Sequence, residues 1–300
     1  MPQPHPALRV PVQGDGAGSG DWAGVHWVDG IPILHAEAAQ LLSLIGGDAT
    51  SDLEALSYDA MRHVARYLPH VAVPDTLGLR LAEVLAKHAP ADAGLAVDAG
   101  CSIGPHIRAL RAVSEHVVGF DGNLAALRVA AAHLSGNAVQ RPIRIEGHRF
   151  AWGEPVALPP CPGVTVVCAD LLDPPLFPEV ADIAIAMNVI DNVIEPVGLL
   201  GQLDAILKPG GLLIISSPFA WQDVYTKPEN QLGGGTVPGF QQLGSEAAIT
   251  QLLKGELPFL THLDYAILET DDIPWQLREH ARATYTYDVH LIAARKRRRS

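Results

Sequence analysis

Three aspartates in this 300-residue chain, Asp98, Asp121 and Asp170, stand where chemistry is expected. Each lies at or beside the end of a short apolar run: Leu95–Gly100, His116–Phe120 and Val164–Ala169. Asp98 precedes a turn with two glycines, Gly100-Cys101-Ser102-Ile103-Gly104. A carboxylate at that point repels a pyrophosphate and suits a cationic ligand, and the dinucleotide pattern G-x-G-x-x-G is absent from the turn. Asp121 follows Asp98 by 23 residues, the length of one strand-helix-strand unit, and begins Asp121-Gly122-Asn123. A carboxylate there can accept two hydrogen bonds from a vicinal diol. Asp170, followed by Leu171, can accept from an exocyclic amino group. The plainer alternative is that each aspartate caps the next helix.

The elements that must hold these residues follow from apolar periodicity. Continuous apolar strands are expected at Leu95–Gly100, His116–Phe120, Val164–Ala169, Asp182–Met187 and Gly211–Ser216, with two more at about 262–268 and 288–293. Helices are expected from about Pro105, from an Asn123 cap to near Gly136, over Val197–Leu207 up to Lys208-Pro209-Gly210, and over Glu246–Lys254. Upstream, Ser51 and Glu54 form a capping box for a helix over 51–69, and Asp75 caps another to about His88. An Asp-Gly pair within His26–Leu34 marks a small hairpin after a Pro- and Gly-rich lead-in. Strands alternating with helices imply an α/β, doubly wound, mostly parallel sheet with helices on both faces. The expected organisation is an N-terminal extension over 1–50, a helical cap over 51–92 and a main domain over 93–300.

VDAGCSIG, GFDGN, CAD, AIAMNVIDNV and LKPGGLLIISSP resemble the successive motifs of the class I S-adenosylmethionine-dependent methyltransferase family. Ser102 stands where many members carry a second glycine. The resemblance implies a seven-stranded Rossmann-like sheet and S-adenosylmethionine as cofactor, with S-adenosylhomocysteine as product. It implies a cofactor site of Asp98, Gly100, Cys101, Ser102, Gly104, Asp121, Gly122, Asn123, Asp170, Leu171 and Asn188. A narrower resemblance, to the methyltransferase domain of ovothiol-pathway enzymes, rests on Asn188-Val189-Ile190-Asp191, on Ser217 to Thr226, on Glu229 to Gly234 and on Asp272 to Arg282. That family methylates a ring nitrogen of a mercapto-histidine. The 26–34 hairpin resembles the last strands of zinc-ribbon domains that sometimes precede methyltransferases, without their cysteines, so no metal is expected.

Acceptor-side candidates are Asn188 and Tyr225 as catalytic groups, with Tyr58, Arg62, Asp191, Trp221 and Arg278 binding substrate. Asn188 can exchange a hydrogen bond with a ring nitrogen, and Trp221 and Tyr225 can stack on a flat acceptor. Arg278 offers a fork to a carboxylate. Core packing for Trp221, a solvated helix face for Tyr58 and Arg62, and an ordinary salt bridge for Arg278 are the competing readings. The segment Thr226–Gly244, with glycines at 233–235, is long enough to be a lid.

Composition narrows the classes. Asp and Glu number 33 against 21 Lys and Arg, which argues against general nucleic-acid binding. Three cysteines, Cys101, Cys161 and Cys168, are too few for a disulfide scaffold and fit a reducing, cytoplasmic setting. No secretory signal or membrane span is expected. A small-molecule acceptor is the expected partner. Transfer to oxygen or sulfur, a non-catalytic binding subunit, a nicotinamide oxidoreductase, and the oligomeric state, a homodimer included, stay open.

Overall fold

The computed structural model describes residues 5–10, 22, 24–35, 58–234, 241–257 and 263–298. A sheet of nine strands in the order β1-β2-β7-β4-β3-β8-β9-β11-β10 forms its centre. The strands are β1 (His26–Val28), β2 (Ile31–Ile33), β3 (Leu95–Ala99), β4 (His116–Asp121), β7 (Val164–Cys168), β8 (Ala181–Met187), β9 (Leu207–Ser217), β10 (Tyr265–His280) and β11 (Ala283–Lys296). Two further strands, β5 (Val139–Glu146) and β6 (Arg149–Val156), pair as a separate hairpin. The helices are α1 (Tyr58–Ala72), α2 (Thr76–His88), α3 (Ile107–Arg111), α4 (Leu124–Leu134), α5 (Pro196–Ile206) and α6 (Ser245–Leu253).

The expected seven strands are therefore nine, in a mixed sheet. Strands β2, β7, β4, β3, β8 and β9 run parallel. Strands β10 and β11 join antiparallel at one edge, and β1 at the other. The 26–34 hairpin docks on β7 through Ile33 beside Cys168, an extension that its own turn chemistry does not reveal. The two late strands are about twice as long as expected. In β10, Ile273, Trp275, Leu277 and Glu279 are buried on alternate positions, so the strand continues through Asp271, Asp272 and Pro274.

Each central strand shows both faces to apolar neighbours. Val97, Ala99, Val118 and Phe120 meet Leu199, Leu200 and Leu203 of α5 and Ile249 and Leu252 of α6. Ala96, Val117, Ile183 and Ile185 meet α2 through Leu81 and Leu85, α3 through Ile107 and Leu110, and α4 through Leu127. Two-sided burial explains why these strands lack a polar alternation. Burying each leucine contributes about 1.5–3 kcal/mol. A third cluster joins Val64, Leu68 and Val71 of α1 to Val129 of α4 and to Val139 and Val156 of the β5–β6 hairpin.

Asp75 caps α2 by accepting the Gly78 amide hydrogen at 2.7 Å, and Asn123 caps α4 through the Ala126 amide at 3.1 Å, both as expected. The Ser51–Glu54 capping box lies outside the described residues. Helix α1 continues three residues past Pro69, because Val71 still reaches an apolar neighbour. The helix expected from Pro105 is only five residues long. No described helix is long and apolar enough to cross a membrane.

Gly119 in β4 lies beneath α3 and the loop after β3. A Cβ there would stand 2.9 Å from Ile107 Cδ1 and 3.0 Å from Cys101 Sγ, both buried. Gly119→Ala is expected to destabilise the fold by about 1–3 kcal/mol, the usual cost of overpacking. A denaturant midpoint equal to that of the unchanged protein would mean that these neighbours yield freely.

Candidate active site

The site grows from the carboxyl ends of β3, β4 and β8. The turn after β3 is bent by three left-handed residues: Gly100 (φ 77°), Ser102 (φ 52°) and Gly104 (φ 76°). Gly100 allows this for a second reason, since a Cβ there would lie 2.6 Å from Val189 Cγ2. Its missing side chain makes room for Val189, not directly for a ligand. The Gly100 and Cys101 amides donate to the Phe120 carbonyl at 2.8 and 3.1 Å. Ser102 holds a conformation that costs a non-glycine residue on the order of 1–3 kcal/mol. Two bonds offset that cost. Its amide donates to Asp121 Oδ2 at 2.8 Å, and its hydroxyl is hydrogen-bonded to His63 Nε2 of α1 at 2.6 Å.

Asp121 Oδ1 accepts the Asn123 amide hydrogen at 2.7 Å. Each Asp121 oxygen thus spends one lone pair on backbone and keeps another for a donor such as a ribose hydroxyl. Burial pushes the Asp121 carboxyl up, and the two amides oppose that rise. Asp98 lies beneath the turn and is 1% exposed. Its Oδ2 has no partner among the described residues. Burial, then the charge of Asp121, pushes its carboxyl up to about 8. Asp170 accepts the Leu172 amide hydrogen at 2.8 Å and sits exposed at the end of β7.

Ser102 and Asp121 border a cavity of about 490 Å³, whereas Asp98 and Asp170, both expected in the cofactor site, do not line it. Gly100, Cys101, Ser102, Asp121, Leu171, Asn188, Asp191 and Tyr225 line it, so eight of the expected site residues come together. Asn188 (φ 55°) ends β8, and its Oδ1 accepts the Ser216 hydroxyl at 3.0 Å. Asp191, 1% exposed, accepts the Ala220 amide hydrogen at 2.9 Å and the Asn192 side-chain amide at 3.1 Å. Burial raises its carboxyl, against those bonds.

Other expected residues sit elsewhere. Trp221 donates to Ser245 Oγ at 3.1 Å and packs beside Phe219, away from the cavity. Arg278 donates to the Ala281 carbonyl at 2.9 Å in the β10–β11 turn. Arg62 pairs with Glu279 at 2.6 Å, and Tyr58 stacks on His148 of the β5–β6 hairpin. Gly104, Gly122 and Asn123 shape the turns beneath the site without lining it. The expected lid, Thr226–Gly244, includes residues 235–240, which lie outside the described ones. Its described flanks are anchored: Thr226 and Leu232 are buried, and the Thr226 hydroxyl donates to the Val193 carbonyl at 2.6 Å.

The outer wall comes from residues that sequence reasoning did not name for the site, on the helix and the hairpin from which it had chosen Tyr58, Arg62 and Arg278. Helix α1 supplies His63, Arg66, Tyr67 and His70, and the β10–β11 hairpin supplies Trp275, Leu277 and Tyr287. His70 Nδ1 lies 3.2 Å from Asp75 Oδ2, which also accepts the Trp275 indole N–H. Burial lowers His63 to about 4 and pushes Tyr67 up to about 12, so both are neutral near pH 7. The one available signal was the i, i+3, i+4, i+7 spacing of 63, 66, 67 and 70, which marks a second stripe on α1.

Residues 97–215 match the family model described as a methyltransferase domain. No curated protein matches the chain. Among solved structures it resembles a SAM-dependent methyltransferase from Aquifex aeolicus at 13% identity, covering 80% of this chain and 99% of that one, with a TM-score of 0.47. It also resembles an enzyme that converts a disulfide bond into a thioacetal group during echinomycin biosynthesis, at 16% identity, 77% and 85% coverage and a TM-score of 0.48. The [4+2]-cyclase SpnF is a third, at 18% identity, 73% and 80% coverage and a TM-score of 0.44. No assignment of substrate follows from these likenesses. The matched segment holds the turn after β3, Asp121, Asp170 and Asn188, and is similar over that length to a methyltransferase domain. The residues present fit S-adenosylmethionine, the cofactor that this similarity implies. Asp98 Oδ2 is buried beneath the turn without a partner among the described residues, Asp121 has acceptor capacity to spare, and the cavity reaches both Asp121 and Leu171.

Asp98 makes a testable contribution to stability. Its carboxyl titrates near 8 in the folded chain and near its ordinary value of 3.8 when unfolded. Between those values the folded form binds the extra proton, so its contribution falls as pH rises, by up to about 1.4 kcal/mol per pH unit. Below this window both forms are protonated, and above it both are ionised. Asp98→Asn is therefore expected to gain stability over the unchanged protein between pH 5 and pH 8. Parallel unfolding free energies across that range would contradict it.

Proposed function

We propose that this chain transfers the methyl group of S-adenosylmethionine to a small molecule, with a ring nitrogen of a histidine-like or mercapto-histidine compound as acceptor. The observation that carries the donor half is Asp121, held by the Ser102 and Asn123 amides with acceptor capacity left at the cavity. The acceptor half is supported by the resemblance of Asn188 to Asp191 and of the segments after β9 to ovothiol-pathway methyltransferases.

When bound, S-adenosylmethionine supplies an already activated methyl group on a sulfonium. The chain's task is then alignment and exclusion of water. Asp121 is suited to accept from the ribose hydroxyls, and the backbone around Leu171 borders the purine end. Asn188 and Asp191 fix the polar floor of the acceptor side, where a neutral imidazole nitrogen needs no prior loss of a proton. Tyr67, Trp275, Leu277 and Tyr287 give that side apolar and aromatic walls, and Tyr225 stands at its more exposed margin. Holding both reactants in line can contribute roughly 7–11 kcal/mol to the rate.

Transfer to oxygen or sulfur is the second reading, favoured by one arrangement. Asp75 orients the His70 imidazole through Nδ1, and His70 Nε2 is buried without a partner among the described residues. Such an imidazole can take a proton from a hydroxyl or thiol. A pH–rate profile that loses its acid limb in His70→Asn would favour this reading over nitrogen transfer.

The direct test is calorimetric titration with S-adenosylhomocysteine and, separately, NAD. Only the first is expected to bind. Asp121→Ala is expected to weaken that binding by about 1.5–3 kcal/mol, the range for a hydrogen bond to a charged group. Unchanged affinity in Asp121→Ala would remove the ribose assignment.

A further inference from the structure

We propose that Arg66 marks a subsite for a carboxylate in this cavity, an inference that rests on the methyl-donor reading above. Three guanidinium groups converge on one acid, Glu279, near the end of β10. Arg62 Nε donates to Glu279 Oε1 at 2.6 Å, Arg144 Nη1 donates to the same oxygen, and Arg66 Nη2 donates to Oε2. Glu279 is 4% exposed. Burial alone would raise its carboxyl, but the hydrogen bonds from Arg62 and Arg66 outweigh it and hold the acid ionised below its usual range.

Three positive charges against one negative leave an excess of two in a half-buried setting. Charges withdrawn from water call for partners. Among the described residues, the titratable groups beside these arginines supply no second anion. Tyr58 and Tyr285 flank Arg62, while His63 and Tyr67, beside Arg66, are neutral near pH 7. Asp191, which also lines the cavity, has its carboxylate committed to the Ala220 amide, Ser217 and Asn192.

Of the three arginines only Arg66 lines the cavity, and its buried Nε–H has no partner among the described residues. A planar guanidinium with unspent donors matches a carboxylate in charge and shape. A dianionic phosphate fits less well, because Asp75, Asp121 and Asp191 border the same space. Two sources offer a carboxylate here: the amino-acid end of the methyl donor, and an acceptor with an amino-acid backbone.

Two ligand pairs separate these sources by calorimetry on the full chain. S-adenosylhomocysteine is compared with 5′-methylthioadenosine, which lacks the amino-acid end. With S-adenosylhomocysteine bound, L-histidine is compared with histamine, which lacks the carboxylate. The unchanged protein is expected to prefer the carboxylate-bearing member of at least one pair by about tenfold or more. In Arg66→Met that preference falls to within about twofold, with affinity for the carboxylate-free member retained. Arg66→Lys keeps the charge without the fork and is expected to retain part of the preference, which covers the case in which Arg66→Met does not fold. Loss in the first pair assigns the carboxylate to the donor, and loss in the second assigns it to the acceptor. A preference that survives both substitutions in both pairs, or none in the unchanged protein, overturns the subsite alone. Failure of S-adenosylhomocysteine to bind the unchanged protein overturns the donor reading and this inference with it.

Discussion

The Asp121 carboxylate accepts the amide hydrogens of Ser102 and Asn123, and so ties the turn after β3 to the turn after β4. That tie and the bond with His63 hold the left-handed Ser102, while the Gly100 and Cys101 amides are spent on the Phe120 carbonyl. Hydrogen bonds to a charged acceptor contribute about 1.5–3 kcal/mol each, comparable to the conformational cost at Ser102. The turn's shape, the start of α4 under Asn123 and the acceptor geometry at the cavity edge therefore share one side chain.

The electrostatics of the cavity divide by chain segment. Its floor, from the strand ends, is acidic: Asp98 beneath, Asp121 and Asp191 at the surface. Its outer wall, from α1, carries Arg66, with neutral His63 and Tyr67 as spacers. A ligand with a cation toward the strands and an anion toward α1 matches this layout. The unpaired Asp98 fits the same pattern, since a nearby cation lowers its pKa and removes the penalty that burial imposes.

The floor was legible in the sequence and the wall was not, for a physical reason. Asp98 and Asp121 stand at the ends of apolar strands that are buried on both faces, so periodicity places them at one sheet edge, while Asp170, placed there in the same way, does not line the cavity. Asn188 and Asp191 follow β8 in the same way. Arg62 was read from the right helix, yet Glu279 takes it, and Arg66, one turn on, lines the cavity instead. Trp275 stacks on Tyr67 of α1, with Tyr287 beside Trp275, because β10 and β11 run on as a long hairpin. Asp271, Asp272 and Pro274 look like breakers in the sequence, and the alternation through Ile273, Trp275, Leu277 and Glu279 overrides them. Contacts between residues 62–70 and 275–287 have no local signature at all.

That long-range junction also explains why α1 belongs to the site. Its apolar stripe, Val64, Leu68 and Val71, fastens it to α4 and the β5–β6 hairpin. Its polar stripe meets Ser102 through His63 and Glu279 through Arg62 and Arg66. Arg144 of β5 adds the third arm on Glu279, so strand, helix and hairpin converge on one buried acid. An acid in that place can join three elements because it is outnumbered by its cations. The same imbalance leaves Arg66 with donors to spare at the cavity wall, so the contact that positions the wall also sets its charge.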